Sequence, residues 1–223
     1  MPLDPRSRFA VMCLTQDGIG LPHAEQAGRL CAAGARWIQL RMKGATPASW
    51  LAEAAAAVAA CRSHGAVLIV NDSVEIALES GADGVHLGGP DADYRDARRR
   101  LGSARMLGGT VNNRPDALRA LAAGCLDYAG VGPFRFTPTK RNLAPVLGPG
   151  GVRALIADLR GIPAWVIGGI TPADLPGLRA AGAAGAAVSS RLYLEGRLEE
   201  NLRAFLDAWN MPAELMAGAA SSS

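Results

Sequence analysis

Four segments of this chain repeat one junction: a helix-like run, a glycine, then a short apolar strand. They read AGARWIQL (Ala33–Leu40), SGADGVHL (Ser80–Leu87), AGCLDYAGV (Ala123–Val131) and AGAAGAAV (Ala181–Val188). Gly34, Gly81, Gly124 and Gly182 stand where the left-handed turn that ends a helix favours glycine. These glycines lie 47, 43 and 58 residues apart. Parallel strands need a long crossover, so each interval has room for two strand–helix units, and four repeats make eight.

Apolar runs supply the strands: Phe9–Thr15, Trp37–Lys43, Val67–Asp72, Gly84–Gly88, Met106–Val111, Tyr128–Gly132, Ala164–Gly168 and Ala186–Ser189. Helical patterns lie between them, four opening on a proline (Pro22, Pro47, Pro115, Pro172), where the missing N–H costs nothing. Runs such as VLIVN and AWVIGG are apolar throughout, as strands buried on both faces are. Alternating strands and helices imply a parallel sheet with right-handed crossovers. Eight units in 223 residues favour closure, so the expected fold is α/β, a single (βα)8 TIM barrel over residues 1–210. Residues 211–223, ending AGAASSS, are expected to be a frayed, disordered tail.

Composition narrows the class. With 49% hydrophobic and 19% charged residues, a disordered chain and a collagen-like repeat are excluded. Aromatics are only 5%, so Ala, Leu, Val and Ile are expected to fill the core. Cys13, Cys31, Cys61 and Cys125 are far apart, without metal-ligand spacing, and read as reduced thiols of a cytoplasmic protein. Neither a signal peptide nor a membrane span is expected. The net charge of +3 admits small anionic substrates and does not imply nucleic acid. A homo-oligomer is compatible with the sequence but not specified by it.

A parallel barrel gathers its chemistry where strands end and helices begin. Gln39, Arg41 and Lys43 alternate at the end of the second strand and share a face. Two cations in a barrel mouth need an anion, either a carboxylate on a neighbouring strand or a ligand phosphate. Asn71 and Asp72 end the third strand, and Asp91 follows the fourth. Two carboxylates at adjacent strand ends can share Mg²⁺ with phosphate oxygens, although Asp91 could instead cap a helix and Asp93 competes for either role. Thr110 ends the fifth strand. The long segment GPFRFTPTKRN (Gly132–Asn142) brings Thr137, Thr139 and Lys140, with Phe134 and Phe136 as a seal against water. Gly168 and Gly169 at the seventh strand, with Ser189 and Ser190 at the eighth, suit a monophosphate cradle. Two anion sites are therefore expected. Arg95, Arg98, Arg99 and Arg100 read as a solvated helix face, His23 and His64 as surface, and His86 as packing, hydrogen bonding or ligand contact.

The segments IQLRMKG, VNDSVEIALESGADGVHLG, GGTVNNRPDAL, DYAGVGPFRFTPTKRNLAPVLG, VIGGITP and AGAAGAAVSSRLY resemble the thiamine-phosphate synthase family, in that family's order from about Trp37 to Tyr193. The resemblance implies an Mg²⁺-dependent transferase. It would join 4-amino-2-methyl-5-hydroxymethylpyrimidine diphosphate to a thiazole phosphate, or its carboxylated form, releasing diphosphate. It also implies roles. Arg41, Lys43, Asn71 and Lys140 match diphosphate-binding positions, Arg41, Lys43 and Lys140 being the expected catalytic cations. Asp72 and Asp91 match metal ligands, and Gln39 and Thr110 pyrimidine contacts, where serine is common at the latter. Thr137 and Thr139 match loop contacts, and Gly169, Ser189 and Ser190 the thiazole-phosphate cradle. Met42, Gly89 and Phe136 depart from the family's usual glutamate, glutamine and proline. The alternatives are a thiazole tautomerase-like isomerase and a non-catalytic barrel that binds phosphate ligands.

Overall fold

In the structure, a computed structural model describing residues 9–89, 93–136 and 144–211, eight parallel strands close on themselves in chain order. They are β1 (Val11–Leu14), β2 (Trp37–Leu40), β3 (Val67–Asn71), β4 (Gly84–Leu87), β5 (Met106–Val111), β6 (Tyr128–Val131), β7 (Ala164–Ile167) and β8 (Gly185–Val188). β8 pairs back to β1 through Val11 and Ala186. The intervening helices are α1 (His23–Ala32), α2 (Pro47–Ser63), α3 (Val74–Ser80), α4 (Tyr94–Leu101), α5 (Arg114–Ala123), α6 (Gly148–Asp158), α7 (Leu175–Ala180) and α8 (Leu198–Asn210). One turn of 3-10 helix, Pro172–Asp174, precedes α7, and a 3-10 segment, Ser190–Gly196, follows β8. The (βα)8 expectation holds; β1 and β2 are three residues shorter than their apolar runs, and β3, β4, β6 and β7 one residue shorter. Gly81 and Gly124 adopt the left-handed cap, whereas α1 and α7 end on right-handed Ala33 and Ala181 with the positive-φ Gly34 and Gly182 one residue later.

Alternation along each strand divides the core in two. Outward residues such as Val11, Ile38, Leu68, Val85 and Val166 pack under the helices with small and aliphatic partners. The expectation that Ala, Leu, Val and Ile fill the core holds for this layer, and the barrel interior is different. Met12, Leu14, Trp37, Ile69, Tyr128 and Trp165 form it. Trp37 stands edge-on to Tyr128 (centroids 4.9 Å apart, 76°) and to Trp165 (4.6 Å, 70°), the arrangement that ring quadrupoles favour. Three large rings fit only because their neighbours are small: a β-carbon on Gly108 would overlap the Tyr128 ring, and one on Gly185 the Trp165 indole. A few aromatics at inward positions thus plug the barrel floor and leave its upper end open.

One further expectation changes. His23 is buried at 7% exposure, not a surface residue, because its ring is enclosed by Thr15 and Asp17. The α4 arginines largely form the expected solvated face, since Arg95, Arg99 and Arg100 are exposed, and they also make hydrogen bonds and ion pairs. Arg98 bonds the carbonyls of Gly102, Arg105 and Cys125 and the Asp127 carboxylate, Arg95 bonds Ala122 O, and Arg100 pairs with Glu75. Met211, the first residue of the expected tail, accepts from Arg179; residues 212–223 lie outside the described residues. Cys13, Cys31 and Cys61 are buried and Cys125 half-buried, all as free thiols. Among the described residues no helix is long and apolar enough to cross a membrane.

Candidate active site

A cavity of about 200 Å³ opens at the C-terminal ends of the strands. Inward alternation continues past each strand end and delivers its lining. Gln39, Arg41, Lys43, Asn71, Asp72, Thr110, Gly169, Ser189 and Ser190, all expected from the sequence, border this one space. The remaining expected residues, Asp91, Thr137, Thr139 and Lys140, lie outside the described residues.

On the β2–β3 side the groups are charged. Lys43 Nζ meets Asp72 Oδ2 at 2.5 Å, so the carboxylate of a neighbouring strand is the ammonium's partner. Both side chains are partly exposed, 52% and 39%, and water screens the pair. Arg41 has no side-chain partner among the described residues, although its guanidinium borders the cavity. Asp72 turns inward because its backbone adopts φ +66°, a left-handed conformation that aspartate tolerates better than most residues, with its N–H bonded to His86 O at 2.9 Å. Such backbone strain, about 1 kcal/mol or more, collects at functional sites.

The floor is polar. His86 Nε2 lies 3.0 Å from Thr110 Oγ1 and its Nδ1 3.1 Å from the Tyr128 hydroxyl. The His86 ring sits over Gly130, where a β-carbon would approach it to 3.0 Å. Burial pushes the Tyr128 phenol far above its ordinary value, so it remains a hydroxyl. Gln39 Nε2 donates to Met12 Sδ at 3.3 Å. His86 is thus hydrogen-bonded on both ring nitrogens and also lines the cavity.

The β7–β8 side has few charges. Gly168 (φ +104°) and Gly169 (φ +66°) turn the chain sharply, and Gly169 has no room for a side chain: a β-carbon would stand 3.0 Å from Arg135 Cβ and from Phe136 O. Arg135 is committed elsewhere, bidentate to Asp174 at 2.5 and 2.6 Å. Ser189 and Ser190, at the end of the neighbouring β8, border the same cavity as the glycines, and so does Arg191. Phe134 is buried at 4% while Phe136 is 75% exposed, so of the expected pair only Phe134 is enclosed.

The sequence reading missed Tyr128, Asn112, Trp165 and Arg191 as lining residues. Tyr128 and Asn112 could have been found by extending the inward parity of β6 and β5 through every residue, rather than inspecting strand ends alone. Arg191 follows two serines in an irregular segment and carries no such signal.

A closed parallel barrel whose mouth sets basic residues and a carboxylate against a glycine–serine turn defines an enzyme for phosphorylated small molecules. Comparison makes the class specific. Residues 10–192 match the thiamine monophosphate synthase family model. The chain is 42% identical over 188 residues to a thiamine-phosphate synthase of Bacteroides fragilis, covering 82% of this chain and 92% of that one. It is 42% identical over 185 residues to a thiamine-phosphate synthase of Myxococcus xanthus, covering 83% and 84%. A solved thiamine phosphate pyrophosphorylase from Pyrococcus furiosus superposes with a TM-score of 0.81 at 26% identity, covering 92% of this chain and 96% of that one. The chain belongs to the thiamine monophosphate synthase family, and the activity that goes with this membership is that of a transferase.

Proposed function

We propose that this cavity holds the two substrates of thiamine-phosphate synthesis with their anionic groups at opposite sides. The pyrimidine diphosphate would reach Arg41, Lys43 and Asn71, with Lys140 joining from the sixth strand's loop. The thiazole phosphate, or its carboxylated form, would rest on Gly169, Ser189 and Ser190. Gln39 and Thr110 would contact the pyrimidine between them, and Thr137 and Thr139 would bind near both phosphoryl groups. The observation that carries this reading is the convergence of nine separately expected residues, from five strands, on one cavity.

The residues fit Mg²⁺. Among the described residues no three potential ligands cluster, but Mg²⁺ characteristically takes one or two carboxylates and completes its shell with phosphate oxygens and water. Asp72 supplies one carboxylate, its Oδ1 turned towards the end of β4 near Gly88, and Asp91 would supply the other. Bound there, the ion would neutralise charge on the departing diphosphate.

The chain's own groups account for the rest. In a dissociative substitution the pyrimidine's amino group pushes electrons towards its methylene carbon as the C–O bond to diphosphate breaks. Arg41, Lys43 and Lys140 stabilise the negative charge gathering on the leaving group. The thiazole nitrogen then forms the new C–N bond with its own lone pair, so the protein need supply no strong base. The phosphate cradle holds that nitrogen in line, and the Thr137–Lys140 segment would keep water from capturing the cation. The enzyme is expected to act in the cytoplasm on small molecules alone, without nucleic acid or membrane, and a homo-oligomer is compatible with this role.

The test is a mass-spectrometric assay with both substrates and Mg²⁺. Thiamine phosphate and free diphosphate in equal amounts are expected, and both should disappear when EDTA removes the metal. Rearrangement of the thiazole phosphate alone would instead establish an isomerase. Tight binding without turnover would establish a non-catalytic barrel.

A further inference from the structure

We propose that His23 is a positioning residue that fixes the backbone carrying Arg41 and Lys43. It touches neither side chain and works through the loop between β1 and α1. The inference rests on the reading that these cations bind the diphosphate.

After Leu40 the chain leaves regular structure, so the N–H groups of Arg41 and Lys43 lose ladder partners. Both find acceptors on the β1–α1 loop. Arg41 N–H donates to Thr15 Oγ1 at 3.1 Å. Lys43 N–H donates to the Asp17 carboxylate, at 3.2 Å to Oδ2 and 3.4 Å to Oδ1. His23 sits behind both acceptors, with Nδ1 2.7 Å from Thr15 Oγ1 and Nε2 3.1 Å from Asp17 Oδ1. One imidazole therefore spans the two groups that hold alternate residues of the cationic strand end.

The donors and acceptors can be assigned without remainder. A carboxylate only accepts, so the Nε2–H must point at Asp17. Thr15 Oγ1 accepts from the Arg41 N–H and can donate its hydroxyl hydrogen to Nδ1, the arrangement in which the ring carries its proton on Nε2. The platform itself is stiff. Thr15 is wholly buried, and so is Gln26, whose amide bonds Gln16 O and Leu21 O at 2.9 Å each while its Oε1 accepts from Gln16 N–H at 2.9 Å. Small displacements of charged groups weigh heavily on a transition state that forms charge. A ring that sets the register of two cations is therefore a determinant of activity, although it lies outside the cavity lining.

The experiment titrates inorganic diphosphate with Mg²⁺ into the wild type and into H23L, H23Q, Asp17→Ala and Arg41→Ala, alongside steady-state kinetics. H23L and Asp17→Ala are expected to weaken diphosphate roughly tenfold and to raise KM for the pyrimidine diphosphate by a similar factor, the scale of a misplaced charge-assisted contact. KM for the thiazole phosphate should stay within about twofold of wild type, since the loop's bond to the cradle, from Ser189 Oγ to Gln16 Oε1, is long at 3.5 Å and involves neither His23 nor Asp17. H23Q, which can accept from Thr15 and donate to Asp17, should recover most of the loss. The ¹⁵N spectrum of the ring should show the Nε2–H tautomer.

Wild-type diphosphate affinity in a folded H23L, equal losses for both substrates, an unrescued H23Q or an Nδ1–H tautomer would each overturn the proposal. Should H23L fail to fold, Asp17→Ala, altered at a side chain 41% exposed, decides it by the same criteria. If Arg41→Ala binds diphosphate normally, the reading of the cationic side fails. If Arg41→Ala alone binds weakly, only the role of His23 fails.

Discussion

The two sides of the cavity mouth handle anions by different means. The β2–β3 side uses long charged side chains, among them the Lys43–Asp72 ion pair. The β7–β8 side uses backbone and hydroxyls: Gly168, Gly169, Ser189 and Ser190, with the nearby Arg135 tied to Asp174. A diphosphate that must leave calls for charge that responds to developing charge. A phosphate that must only stay in place calls for fixed geometry. The first design is sensitive to metal and charge removal, the second to the loss of space.

The largest effect expected from this contrast lies at Asp72. Asn keeps the size and tolerates φ +66°, so Asp72→Asn changes the charge and little else. It would leave Lys43 without its anion and the metal without its described carboxylate. The barrier should rise by at least ~3 kcal/mol, roughly 100-fold in kcat with substrates and Mg²⁺ saturating. Near-wild-type turnover would end the division of labour between the two sides.

A smaller effect is expected across the mouth. Gly169→Ala places a methyl group against Arg135 and the Phe136 carbonyl, in a left-handed conformation that alanine disfavours by about 1–2 kcal/mol. The turn should shift and KM for the thiazole phosphate should rise about tenfold, with KM for the pyrimidine diphosphate nearly unchanged. Equal changes in both constants would mean that the sides are not separate.

The sequence made one side easier to read than the other. Arg41, Lys43 and Asp72 are charged residues at the ends of apolar runs, and charge at a buried strand end demands an explanation. The glycines and serines of β7–β8 are common turn residues, and the expected phosphate fold gave them meaning. What stayed hidden depends on contacts distant in the chain. His23 reads as surface in its own helix and is buried only because Thr15 and Asp17 close over it. The aromatic floor eluded composition because its rings come from β2, β6 and β7, and the glycines that admit them from β5 and β8. The eight-unit fold was legible because a junction recurs locally; the enclosure of one histidine recurs nowhere.

The smallest expected effect concerns what holds the cradle in place. Burial alone would raise the Asp174 carboxyl, but the Arg135 guanidinium and the Thr171 N–H and hydroxyl outweigh it and hold it below its ordinary value of 3.8. A depressed folded value means that the unfolded chain binds more protons as the solution is acidified. This contribution to stability is therefore present above the ordinary value and is lost as pH falls through the depressed one. Arg135 is half exposed at 49%, so screening keeps the pair's contribution below about 1 kcal/mol. Arg135→Gln should lower Tm slightly at neutral pH and flatten the fall of Tm on acidification below about pH 4. Circular dichroism melts of both proteins across that range would measure it. If the two curves fall in parallel, the ion pair does not anchor the turn, and the stiffness of the β7–β8 side must come from its glycine geometry alone.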